Sequence, residues 1–245
     1  MTRWKLTIEY DGTPFSGWQA QAGCTTVQGV LEEALHKFSG ERAELAVAGR
    51  TDAGVHAAGQ VAHVDLLRDT TVDEIQGALN FHVKPHPIAV LNVEAVAPEF
   101  HARFDAKQRH YRYRLINRRA PLALEAGRAL HVAHRLDVAA MDSAAKLLLG
   151  NHDFSTFRAA DCQGKSPIKT LDAVRFDVAG EVIDFHVSAR SFLYHQIRNM
   201  IGSLLFVGSG KWTVADFEAA FKAADRTKGG PTAPPDGLCF MRVDY

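Results

Sequence analysis

The chain has 245 residues, 47% hydrophobic and 23% charged, the proportions of a soluble globular protein with room for one large domain or two small ones. Its 28 basic residues balance its 28 acidic ones, which excludes a uniformly basic nucleic-acid binder, and no apolar stretch approaches the ~18 residues of a membrane span. The opening MTRWKLTIEYDG turns polar too soon for a signal peptide. Cys24, Cys162 and Cys239 are odd in number, far apart and without metal-ligand spacing, so a reducing, cytoplasmic setting is expected.

In chain order, residues 3–10 alternate as a strand and stop at Asp11-Gly12. Thr25 and Gln28 read as a capping box before Val27, Val30, Leu31, Ala34, Leu35 and Phe38 at helical spacing. Residues 44–50 and 60–66 read as strands around a Gly-rich loop. Thr71 and Glu74 open a second helix, and 88–96 closes the unit as a strand. The order β-α-β-β-α-β is the ferredoxin-like arrangement. A connector over 97–108 follows. The pattern then returns, with a strand at 109–117, a helix from Asp137 to Leu149, and strands near 169–178 and 182–190. A helix through Ile197, Met200, Ile201, Leu204 and Leu205 comes next, then one capped by Thr213 and Asp216, and a final strand at 238–244. The expected fold class is therefore α+β, with two ferredoxin-like halves, 1–105 and 106–245, whose mainly antiparallel sheets flank a central cleft, a usual place for a substrate.

Charge is unevenly spread. Residues 1–100 carry 7 Lys and Arg against 13 Asp and Glu, and residues 101–245 carry 21 against 15. Within 101–120 seven basic residues accompany one acid and two tyrosines, the pattern of a phosphate-tracking, base-stacking surface, although basic runs also occur as plain solvated faces.

The segment Gly49-Arg50-Thr51-Asp52-Ala53-Gly54-Val55-His56-Ala57 sets one acid among small residues after an apolar strand. Its glycines permit a sharp turn and close approach to a ligand. Such a carboxylate could attack a sugar or base, or stabilise a cationic sugar transition state; on these residues alone an Asp making a turn is the favoured reading. The twelve histidines form no HExxH-like or Cys-paired set, so no metal is expected. No glycine cluster has the form of a nucleotide phosphate loop.

GRTDAGVHA is similar, residue for residue, to the signature of the TruA family of tRNA pseudouridine synthases. Four further stretches resemble that family in order: Tyr10-Asp11-Gly12-Thr13 with Phe15 and Gly17-Trp18-Gln19; Phe100-His101-Ala102-Arg103-Phe104 with Tyr111-Arg112-Tyr113; Phe192 to Met200; and Thr232-Ala233-Pro234-Pro235 with Gly237-Leu238. The resemblance implies a pseudouridine synthase fold. It also implies isomerisation of uridine to pseudouridine at positions 38, 39 and 40 of the tRNA anticodon stem-loop, by a homodimer and without a cofactor. Asp52 matches the essential aspartate, which adds to the base, adds to C1′ or assists glycal formation; the residues leave those routes open. Tyr111 matches the tyrosine that stacks on the flipped base, Arg198 the arginine expected to pair with the aspartate, and Leu238 an apolar residue of the uracil pocket. Arg50 resembles a residue that helps hold the RNA open, and Gly202 is expected to let another backbone pass close. Two rivals are a catalytically silent tRNA-binding module, against which the intact Asp52, Tyr111 and Arg198 speak, and a metal-dependent hydrolase. A synthase with another RNA target is a closer alternative.

Overall fold

The computed structural model describes residues 1–245 except Gln163 and Lys165. The chain divides into two compact units, Met1–Arg109 with Cys239–Tyr245, and His110–Leu238.

In the first unit, β1 (Thr2–Tyr10) alternates, burying Trp4, Leu6, Ile8 and Tyr10 on one face. Helix α1 (Val27–Ser39) starts one residue later than the expected capping box. Thr26, not Thr25, is the N-cap, accepting the N–H of Gly29, and Gly40 at φ 77° ends the helix. Gln28 is instead drawn into side-chain work, accepting the Ala20 N–H and donating to Glu32. The strand expected over 44–50 shrinks to β2 (Ala46–Val47). The carbonyls just beyond it are taken by side chains, Ala48 O by Arg109 and Gly49 O by Gln60, so the chain leaves the ladder there. Strand β3 (His56–Leu66) begins four residues before the expected 60–66. Helix α2 (Val72–His82) has the Thr71–Glu74 capping box, and β4 (Ile88–Val96) closes the pattern. Strand β1 lies antiparallel between β4 and β3, and β2 is antiparallel to β3. The order β4-β1-β3-β2 is that of a ferredoxin-like sheet.

Strand β5 (Gln108–Asn117) enters the second unit at His110, where it is flanked by a parallel β6 (Leu130–Val132). Helix α3 (Val138–Lys146) has Asp137 as its cap. It ends before Leu149 because the amides of Leu147, Leu148 and Leu149 bond three residues back, tightening the chain ahead of Gly150 at φ 94°. Strands β7 (Gly150–Asp153), β8 (Ile168–Ala179) and β9 (Val182–Ala189) form an antiparallel ladder, so the sheet runs β5-β9-β8-β7. Helices α4 (Gln196–Gly208) and α5 (Val214–Lys222, with the Thr213–Asp216 capping box) both pack against α3. The short strands β6 and β7 have no periodic signal and exist through their neighbours.

The closing strand β10 (Leu238–Asp244) returns to the first unit from Cys239 onward, where Cys239 and Phe240 pair in parallel with His56 and Ala57. Tyr10 of β1 pairs with Ala57 as well, so the early start of β3 has a partner on each side. The compact units thus differ from a division at 105/106: the first boundary falls at Arg109, and the last seven residues rejoin the first unit. No described helix is long and apolar enough to cross a membrane.

Candidate active site

The loop from Ala48 to Val55 connects β2 to β3 and carries Arg50 and Asp52. Its backbone is fixed at nearly every step. Trp18 N–H donates to Thr51 O (3.0 Å), Gly54 N–H to Phe15 O (3.3 Å) and Val55 N–H to Asp52 O (3.1 Å). Gly17, at φ 93°, comes so close that a Cβ there would lie 2.8 Å from Thr51 O, and a Cβ on Gly12 would overlap the Val55 carbonyl. Three buried polar side chains complete the scaffold. The Tyr10 hydroxyl lies 2.7 Å from Thr51 Oγ1. Gln60 Nε2 donates to Gly49 O (2.8 Å), and Arg109 donates to Ala48 O from Nε (3.0 Å) and Nη2 (2.6 Å). Burial pushes the Tyr10 phenol above its ordinary value, which keeps it a neutral hydrogen-bonding group. His56 Nδ1 accepts the Gly12 N–H at 3.0 Å, tying the end of the loop to the turn after β1. Asp52 is half-buried and Arg50 exposed. An acid on a rigid, partly open loop is geometrically suited to covalent or electrostatic work on a bound sugar or base.

The other expected site residues lie in the second unit. Tyr111 on β5 is 8% exposed, with the Phe192 ring edge-on at 5.2 Å. Arg198 on α4 donates from Nε to Ala233 O (2.8 Å), and Ala233 N–H returns a bond to Arg198 O (3.1 Å). Leu238 is buried, its N–H donating to Pro235 O (2.7 Å). The 229–235 segment therefore lies along α4. Gly202 takes part as expected, since a Cβ on it would overlap the Pro231 carbonyl. Asn199, fully buried, donates to Phe157 O and accepts from Thr232 Oγ1 (2.6 Å) and Arg226 Nη2 (3.1 Å).

The basic stretch 101–120 needs correction as a continuous phosphate-tracking surface. Arg109 is buried on carbonyls, and Arg114 makes a two-point contact with Asp184 at 2.8 Å on both arms. Arg118 spends its guanidinium on Glu181, Ala120 O and Pro121 O. Tyr113 is fully buried, with its hydroxyl donating to Pro234 O (2.8 Å), and burial raises its phenol. Arg103, Lys107 and Arg119 remain exposed. Alternation on β5 put Arg109 and Tyr113 on one face and Arg114 on the other, and charge counting is blind to that.

Sequence reasoning gave no role to Arg109, Gln60 or Asn199. Gln60, polar within an apolar run, was the available signal; Asn199 and Arg109 were hidden among other polar residues. Among the described residues, no group of three or more His, Cys, Asp or Glu is placed to hold a metal ion.

Residues 6–105 and 144–245 match a family model described as tRNA pseudouridine synthase. The chain belongs to the tRNA pseudouridine synthase family. Its relatives include proteins named tRNA pseudouridine synthase A from Rhodospirillum centenum and Xanthobacter autotrophicus, 56% and 57% identical over the whole of both chains. One of the same name from Maricaulis maris is 52% identical over all of this chain and 98% of its own.

Proposed function

We propose that this synthase converts uridine to pseudouridine at positions 38, 39 and 40 of the tRNA anticodon stem-loop, with Asp52 as the catalytic carboxylate. The observation that carries the reading is the Asp52 loop, a nine-residue signature whose carboxylate is half-buried on a backbone fixed from both sides, in a chain of this family. The reaction breaks N1–C1′, turns the uracil and joins C5 to C1′, with the C5 proton lost, N1 taking one up and no net redox change. It needs an anchored carboxylate more than a cofactor, and we infer none. Tyr111 and Leu238 are assigned to the target base, Arg50 to the RNA, and Arg198 to Asp52 as its ion-pair partner. Reading several adjacent uridines favours recognition by shape and backbone over base identity. A homodimer acting in the cytoplasm is part of the proposal.

The test is tritium release from tRNA transcripts carrying [5-³H]uridine, with wild type and Asp52→Asn side by side. Release by the wild type, and binding without release by the variant, are expected. Binding without release by both proteins on anticodon-stem substrates would favour the silent RNA-binding reading. Sedimentation at working concentration checks the dimer.

A further inference from the structure

The turn over His101–Phe104 is more heavily supported than a connector requires. Arg3 Nη1 on β1 donates to Phe100 O (2.8 Å), and His63 Nδ1 on β3 accepts the Ala102 N–H (3.1 Å). The Tyr245 hydroxyl, after β10, donates to Ala102 O (2.8 Å), and Arg109 Nη2 on β5 donates to Arg103 O (2.8 Å). Within the turn, Asp105 Oδ2 caps the His101 N–H (2.7 Å), and His101 Nδ1 accepts the Arg103 N–H (3.2 Å). Four separate elements thus hold one short stretch of backbone.

What the turn presents outward is an aromatic ring and a cation. Phe104 is 69% exposed, with the His101 ring at 4.3 Å and the Arg103 guanidinium carbon 5.8 Å from its centroid. The turn also abuts the Asp52 loop. The same nitrogen, Arg109 Nη2, bonds both Arg103 O and Ala48 O, so the backbones bearing exposed Arg103 and exposed Arg50 share one buried clamp. The strand part of the basic stretch is largely occupied internally, whereas this part is exposed and rigid.

We propose that the His101–Phe104 turn is a second RNA contact of the synthase, beside the reacting nucleotide. Phe104 stacks on an unpaired base other than the target, and Arg103 engages the neighbouring phosphate. A fixed aromatic beside guanidinium groups is the surface single-stranded nucleic acid uses, because every base offers a π-face and every phosphate an anion. The proposal rests on tRNA being the substrate.

The experiment is fluorescence-anisotropy titration of the full chain with an anticodon stem-loop RNA, using Phe104→Ala, Phe104→Leu, Phe104→Tyr and Arg103→Ala. Loss of the π-face in the Ala and Leu variants is expected to weaken binding by about 5- to 100-fold. Tyr should bind within about 2-fold of wild type, because its ring stacks as well. Arg103→Ala should reduce the slope of log affinity against log salt by about 1. Thermal midpoints should not move, since the changed side chains are exposed. Wild-type affinity in Phe104→Leu overturns the proposal. So does a change in oligomeric mass without a change in RNA affinity, which would make the ring a subunit contact. Tritium release by the wild type separates the two readings: its absence sinks the synthase assignment, while the titration still decides the turn.

Discussion

The Tyr10 hydroxyl and Thr51 Oγ1 lie 2.7 Å apart in the buried interior of the first unit, one residue before Asp52. Strand β1 therefore touches the Asp52 loop through this side-chain pair. Tyr10→Phe keeps the ring but leaves the Thr51 hydroxyl without this partner, at a cost of about 1–3 kcal/mol. Turnover should fall more than tRNA affinity, because the change slackens the loop and not an RNA contact. Urea unfolding and single-turnover tritium release measure the two effects; equal loss in affinity and rate would count against a positioning role.

Gly202→Ala tests the close passage of the 229–235 segment along α4. The added methyl overlaps the Pro231 carbonyl inside a packed helix, and neither backbone can yield cheaply. Destabilisation of about 3 kcal/mol is expected, read as a lower urea midpoint. The neighbouring Arg198–Ala233 bonds should loosen with it, so activity should fall even where the protein is still folded. A variant as stable as wild type would show that the segment does not sit there in solution.

His63 should make stability depend on pH. Its burial, followed by the nearby charges of Arg3 and His101, pushes its pKa down to about 4, while Asp65 and Asp105 pull the other way. The unfolded chain takes up a proton near 6.5 and the folded one only near 4, so the contribution is whole above pH 6.5 and drains away as pH falls towards 4. With solvent screening the loss is on the order of 1–2 kcal/mol. Protonating Nδ1 also breaks the bond from the Ala102 N–H, so the turn should loosen in the same range. Denaturant midpoints of wild type and His63→Gln between pH 7 and 4 read it; parallel curves would remove His63 as the cause.

Charge removal should separate exposed cations from occupied ones. Lys107→Gln and Arg119→Gln are each expected to lower the salt slope of tRNA binding by about 1. Arg118→Gln should leave it unchanged, because that guanidinium serves Glu181 and two carbonyls. A drop for Arg118 equal to that for Arg119 would restore the whole stretch as a phosphate surface.

Local chemistry made much of the fold legible. The Thr71–Glu74 and Thr213–Asp216 boxes and the Asp137 cap involve partners three residues apart, and β1 alternates over its own length, so sequence neighbours determine all of them. The GRTDAGVHA segment marked Asp52 through its resemblance to the family signature, since its composition alone also fits an Asp making a turn. What distant partners decide was not legible. Strand β2 stops where Arg109 takes Ala48 O, 61 residues away, and β3 starts early where Tyr10 of β1 and the returning β10 both pair with it. The cations of one short stretch looked alike in a row of letters. Tertiary structure buried Arg109 and paired Arg114 with Asp184, since a strand sends successive side chains to opposite faces and the fold alone sets what each face meets, while Arg103 stayed in water on the turn ahead of that strand.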